Sequence, residues 1–340
     1  MTNSPQIISD GDFVAVCTYT FISTIFYNMK LFDLHQDLLT HLRFGAEFGQ
    51  SPQTSWESLE EGIVDLVVAT AFPCPPNDDH YHSSVSALIT KELELYRDYL
   101  ATHPQWKLVH KAVDLQSEKQ KMILHLEGLN VFDGSVTAWR QLEQWITLGV
   151  RSVGTHWNVE NKLGGGTLQP NVGLTDLGCE MVTYLEQKHL VFDVAHMSRQ
   201  GFNDVATMTT RPLYVSHGNV DALCPNVRNY TDTQLRLIAE THGVIGVFFA
   251  NTFVVGSDRA GTIADVVAHI NYLRHLIGVR HIAIGSDLGG IISGSIIGLE
   301  HVDKLSNLTK ALLDADYNEE DIAAIFHGNA LRVLQSHLES

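Results

Sequence analysis

Eight times along this 340-residue chain, a short β-branched apolar run ends on polar residues and gives way to a stretch with helical periodicity. The runs are residues 30–37 (KLFDLHQD), 63–72 (IVDLVVATAF), 122–129 (MILHLEGL), 149–158 (GVRSVGTHWN), 189–198 (HLVFDVAHMS), 211–219 (RPLYVSHGN), 243–251 (GVIGVFFAN) and 281–290 (HIAIGSDLGG). Helical patterns lie between them, as at 84–101, 174–188, 231–242 and 262–277. The first repeats its apolar residues at i, i+3 and i+4, as a helix packed on one side does. Near-continuous apolar strands alternating with helices imply a parallel sheet covered on both faces. Eight such units predict a closed α/β barrel of the TIM type, (β/α)₈, although an open doubly wound sheet has the same local pattern. With no internal repeat, low-complexity tract or linker, residues 30–340 read as one barrel domain, and 318–338 as further helix packed outside it.

The polar residues at the run ends are the second constraint. His35 and Asp37 end the first run, Glu127 the third, His156 the fourth, His196 the fifth, His217 the sixth and Asp287 the eighth. One histidine at a strand end is ordinarily structural, but in a barrel all carboxyl ends open on one face, so these six ends would converge on one pocket. Strand side chains alternate with period two, which predicts that Asp33, His35 and Asp37 point together into the interior. Burying such groups unpaired is costly, and metal ions would compensate. Imidazole with carboxylate suits Zn²⁺, with Mn²⁺, Co²⁺ and Fe²⁺ as alternatives. Three histidines and two carboxylates exceed the need of one tetrahedral zinc, and two ions sharing a bridging carboxylate and a water would use them all. Asp33, one layer deeper, reads as a hydrogen-bonding support. His41, His80, His82, His103, His275 and His337 read as surface or satisfied core residues.

A net charge of −17 argues against an electrostatic grip on nucleic acid or an anionic membrane. Cys17, Cys74, Cys179 and Cys224 have no C-x-x-C spacing and read as free thiols of a reducing, cytoplasmic compartment. Residues 13–27 are the one candidate targeting segment, but they follow Asp10 and Asp12 rather than a basic stretch and are short for a membrane span. Residues 1–29 therefore read as an extension of short strands, with Met29 an alternative start. The Gly-rich stretch 161–173 lacks the Lys-Ser/Thr of a phosphate loop and is expected to be a flexible loop over the pocket.

The motifs DLHQD, HLEG, RSVGTHWNVEN, GLTDLG, FDVAHMS, YVSHGN, VRNYTD, GVIGV and IGSDLGG, in this order across residues 30 to 335, resemble those of the membrane (renal) dipeptidase family, peptidase M19. The resemblance implies two divalent metal ions, expected to be Zn²⁺. His35 and Asp37 would bind one, His196 and His217 the other, and Glu127 would bridge them. His156 resembles the histidine that contacts the substrate carbonyl and its tetrahedral intermediate, and Arg228 the arginine that holds the substrate's terminal carboxylate. Asp287 resembles the aspartate that hydrogen-bonds the bridging water and relays its proton. The implied reaction is hydrolysis of small dipeptides, including those with a C-terminal D-residue, by a hydroxide bridging the ions; homodimers are common in the family. Other readings are a binuclear amidohydrolase acting on N-acyl amino acids or cyclic amides, and an inactive barrel serving as a binding protein. Arg228 could instead be a surface residue paired with Asp232. Gln36 stands where the family has Asn, and is expected to face away from the site. Gly289 stands where a second Asp is common, and the family's aromatic pattern after the second strand is absent.

Overall fold

The structure is a computed structural model that describes residues 30–39, 53–72, 85–292 and 294–339. The expected strands of 1–29, Met29 as a start, Cys17, Cys74, His41, His80 and His82 lie outside the described residues. Among the described residues no helix is long and apolar enough to cross a membrane.

Among the described residues nine parallel strands form the sheet: β1 (Leu31–Gln36), β2 (Val64–Ala71), β3 (Trp106–Leu108), β4 (Gln120–Glu127), β5 (Val150–Gly154), β6 (Val191–Asp193), β7 (Tyr214–Gly218), β8 (Val244–Val247) and β9 (Ile282–Ile284). All but β3 close into the expected eight-stranded barrel, because β1 pairs with both β2 and β9, and β2 pairs with β4. The short β3 is an addition the sequence pattern did not suggest. It pairs with the first half of β4, up to Leu108 beside Met122, and β5 takes over the same edge from Leu124 onward. Its three residues are too few to show a period.

The helices begin where the sequence offers an oxygen to the first free N–H groups. Ser135, Thr175, Ser198, Thr231 and Asn318 each accept from the amide three residues on, opening the helices Val136–Leu148, Asp176–Gln187, Arg199–Met208, Asp232–Glu240 and Glu319–Ala323. One core lies between strands and helices, with Val67, Ala69, Leu124 and Val153 packed with Ile89, Leu93, Leu142 and Met181. The inner core joins Phe32, Leu34, Leu66, Val68, Ile123, Val191, Tyr214 and Val244 to Ala330, Val333, Leu334 and Leu338 of the terminal helix Asn329–Leu338. That helix therefore packs on the bottom of the barrel, leaving chemistry to the opposite mouth.

The inner core corrects one expectation. Since Phe32 and Leu34 face inward, strict alternation would turn His35 outward. A register shift between Asp33 and Gln36 breaks the alternation and brings His35 back to the centre. A second shift, between Val215 and Gly218, allows the adjacent residues Ser216 and His217 both to engage the inner network. Such irregularities re-aim side chains near functional sites.

Candidate metal centre

Every candidate ligand sits at the carboxyl end of a barrel strand or just past it. Glu127 is the last residue of β4 and stands at the middle: its Oε1 is 3.0 Å from His196 Nε2, 3.5 Å from His35 Nε2 and 3.8 Å from His217 Nε2. His35 Nε2 also lies 3.7 Å from Asp37 Oδ2 and 3.8 Å from Asp287 Oδ1. Donor atoms of His35, Asp37 and Glu127 fall within 4.8 Å of one another, as do those of Glu127, His196 and His217, so Glu127 belongs to both groups.

The hydrogen bonds behind the imidazoles set their tautomers. Asn158 Oδ1 accepts from His196 Nδ1 at 2.8 Å. The Ser216 hydroxyl donates to Asp193 Oδ2 at 2.5 Å, so its oxygen accepts from His217 Nδ1 at 2.8 Å. Both Nε2 atoms are then unprotonated, yet they face each other at 3.0 Å. Two lone pairs and a carboxylate oxygen aimed at one point suit a cation there.

The electrostatics agree. Burial pushes the Glu127 carboxyl well above its usual range, and burial, with Asp37 adding, pushes Asp287 up to about 7. Burial alone would lower His35, but the Glu127, Asp37 and Asp287 carboxylates raise it to about 10. The pocket holds an excess of negative charge that draws in a proton, and divalent cations would serve the same need. His196 and His217, by contrast, are held well below the usual histidine range by burial, then by the positive groups around them, and are neutral as ligands must be. His196 and Asp287 also have left-handed backbones, φ 61° and 62°, as does Asn158 at 52°. Such strain in non-glycine residues concentrates at functional sites.

Arg228 is 5% exposed. Its Nη2 donates to the His217 carbonyl at 2.9 Å, its guanidinium lies over the Phe248 ring, and its buried Nη1 has no partner among the described residues. Asp232 instead accepts from the Tyr272 hydroxyl and lies near Arg236, so the alternative pairing with Arg228 is not made. His156 follows β5 and is buried, with Nδ1 2.8 Å from the Thr155 hydroxyl and Nε2 without a partner among the described residues. Burial holds it down to about 4, so it is neutral near pH 7.

Asp33 accepts from Ser286 N at 2.8 Å, Ser286 Oγ at 2.6 Å and Gln36 Nε2 at 2.6 Å, fastening β1 to the chain just before Asp287. Gln36 is buried and hydrogen-bonded to Asp33 and Thr54, away from the ligand group. Gly289, at φ 95°, lets the next turn press on Asp37, whose carbonyl oxygen a Cβ there would strike. Gln53 holds that turn by accepting from Gly289 N at 2.7 Å. The loop 161–173 is tied down rather than free: Ser198 N donates to Gly165 O, Thr167 N to His196 O and Ser198 Oγ to Val172 O. Cys179 and Cys224 are free thiols, and His337 is a buried core residue bonded to the Pro212 carbonyl. Sequence reasoning missed Asn158, Asp193, Ser216 and Gln53. The one signal available for two of them was a serine directly before His217 and before Asp287, matched to aspartates in FDLH and FDVAH.

The model of a family described as membrane dipeptidase, peptidase family M19, matches residues 19–339. An uncharacterized protein in the pqqA 5′ region of Klebsiella pneumoniae is 35% identical over 63% of this chain and 81% of its own length. Dipeptidase aclJ of Aspergillus oryzae is 29% identical over 73% of this chain, a match spanning 58% of the relative's length. In fold, the chain is similar to a Rhodobacter sphaeroides metallopeptidase solved with a phosphinate mimic of L-Ala-D-Ala (TM-score 0.80, 24% identity, 91% of this chain and 99% of that one). It is also similar to the probable dipeptidase PvdM of Pseudomonas aeruginosa (TM-score 0.83, 18% identity, 94% and 98%).

Proposed function

The chain belongs to the membrane dipeptidase family, peptidase M19, and from that premise we propose that it is a metal-dependent dipeptidase working with two divalent ions, Zn²⁺ by preference. The observation that carries the reading is Glu127, common to two groups of donors and flanked by the facing Nε2 atoms of His196 and His217. His35, Asp37 and Glu127 would hold one ion, and Glu127, His196 and His217 the other. When bound, such ions polarise a carbonyl and bring the pKa of water towards neutrality.

The remaining work falls to the chain's own groups. Arg228 offers its spare Nη1 to the terminal carboxylate of a dipeptide, a charge-assisted contact that fixes the scissile bond. Neutral His156 presents an unpartnered Nε2 that can donate to the oxygen of the tetrahedral carbon, once its proton is on that nitrogen. Asp287, raised to about 7, takes a proton from the attacking water and returns it to the leaving amine as the C–N bond breaks. The products are two free amino acids. Substrates with a C-terminal D-residue are included, in line with the ligand of the Rhodobacter structure.

Metal analysis followed by a panel of L,L and L,D dipeptides, their C-terminal amides, N-acyl amino acids and cyclic amides tests this. The expected result is two metals per chain and hydrolysis confined to dipeptides with a free carboxylate. A fully metallated protein inert towards all dipeptides, or equally active on the amides, overturns it.

A further inference from the structure

The two cation positions are not equally supported from behind. His217 is held by a chain of three groups. Asp193 Oδ1 accepts from the backbone amides of Ala195 and Ser216, each at 3.0 Å, which locks the carboxylate in place. Asp193 Oδ2 takes the single proton of the Ser216 hydroxyl, and this leaves the serine oxygen able only to accept from His217 Nδ1. His217 Nε2 is thereby committed as a lone pair towards Glu127 and His196. His196 is committed in the same sense by Asn158, whose oxygen also accepts from Thr167 Oγ1 at 2.7 Å.

His35 has no such support. Its Nδ1 is fully buried and without a partner among the described residues. Its ring lies against the rings of His217, 4.0 Å away, and His125, 5.5 Å away, and the Thr70 hydroxyl, 3.4 Å off, touches it at Nε2, on the ligand side rather than from behind. The fold builds the aspartate–serine device twice. Asp33 accepts from Ser286 N and Ser286 Oγ as Asp193 does from Ser216, but the Ser286 oxygen then accepts from the Leu288 amide at 3.2 Å, not from an imidazole. Only one copy ends on a ligand.

We propose that Asp193 and Ser216 are positioning residues that fix the tautomer and aim of His217, making the Glu127–His196–His217 position the tighter of the two and the His35–Asp37–Glu127 position the readily exchanged one. This rests on the two-metal reading above. Removing an outer partner of a metal-bound histidine costs on the order of 10–100-fold in affinity.

The test uses the zinc-loaded full chain under chelator competition. Wild type should release two Zn²⁺ in two classes of different affinity. Ser216→Ala, which keeps both backbone bonds to Asp193, should weaken the tighter class about 10–100-fold and leave the other within about twofold. Ser152→Ala removes a comparable buried hydroxyl, 2.8 Å from Nδ1 of His125, an imidazole that the two-metal reading does not use, and should leave both classes unchanged. As a measurement free of any variant, ¹⁵N-histidine NMR of the zinc-loaded wild type should show His217 protonated at Nδ1 and ligated through Nε2. Two zinc ions of equal affinity, unchanged release from Ser216→Ala, equal losses in both variants, or ligation through Nδ1 overturns the inference while leaving the dipeptidase reading standing. Wild type holding fewer than two ions overturns the two-metal reading and this inference with it.

Discussion

A buried guanidinium with an unused N–H is costly unless something anionic completes it. Arg228 is such a group, held over Phe248 and anchored to the His217 carbonyl. Arg228→Ala should raise the KM for a free dipeptide about 10–100-fold, the scale of a hydrogen bond to a charged group, with a smaller change in kcat. The ratio of dipeptide to dipeptide-amide turnover should collapse, and an unaltered ratio would refute the carboxylate role. Asp287 gives the pH dependence. Burial raises its carboxyl to about 7 with no cation beside it, so it keeps its proton to a higher pH than an ordinary aspartate, and the two ions of the proposed centre would lower it again. The kcat/KM should therefore fall on acidification between about pH 7 and the ordinary carboxylate range, and Asp287→Asn should cost at least about 100-fold at pH 8. A profile level from pH 8 down to about pH 4 would contradict the assignment. At this scale the histidines and carboxylates were readable because each ends an apolar run, and Arg228 only through the resemblance carried by VRNYTD. Asn158 and Ser216 were not, since a small polar residue takes its meaning from the partner that folding brings to it.

Elements position these residues through their ends and their irregularities. The turn after β9 depends on Gly289, whose φ of 95° and closeness to the Asp37 carbonyl exclude a side chain. Gly289→Ala should destabilise the protein by about 1–2 kcal/mol from the backbone alone, more from the clash, and should lower zinc occupancy by displacing Asp37. Calorimetry with metal analysis checks both. Ser198 caps the helix Arg199–Met208 and also binds the Val172 carbonyl of the Gly-rich loop. Ser198→Ala should cost about 1 kcal/mol in stability and speed proteolysis within 161–173; unchanged cleavage there would mean the loop is held by its other bonds. The strand and helix pattern was legible because apolar periodicity is local. The turning-in of His35 was not, because alternation holds only for a regular ladder and the shift in β1 arises from its pairing with β2.

For the molecule as a whole, the mouth of the barrel concentrates Asp37, Glu127 and Asp287 around His35, while the terminal helix packs against the base. Stripping the metal should lower the melting temperature by roughly 5 °C or more, as loss of tightly bound ligands does, with the far-ultraviolet circular dichroism retained and Zn²⁺ restoring both stability and activity. Complete unfolding on chelation would make the ions structural. His217→Ala should likewise abolish hydrolysis but leave a folded barrel, since the inner apolar core does not include it. The sequence by itself determined the alternation of eight apolar runs with helices and the ionisable residue that closes each of six runs, because both are properties of short consecutive stretches. Only the tertiary structure decided that Glu127 serves two groups at once, that Arg228 leaves Asp232 for the pocket, and that Ser216 stands between Asp193 and His217. Those are relations between strands far apart in the chain, set when the barrel closes and fixes the distances across its mouth.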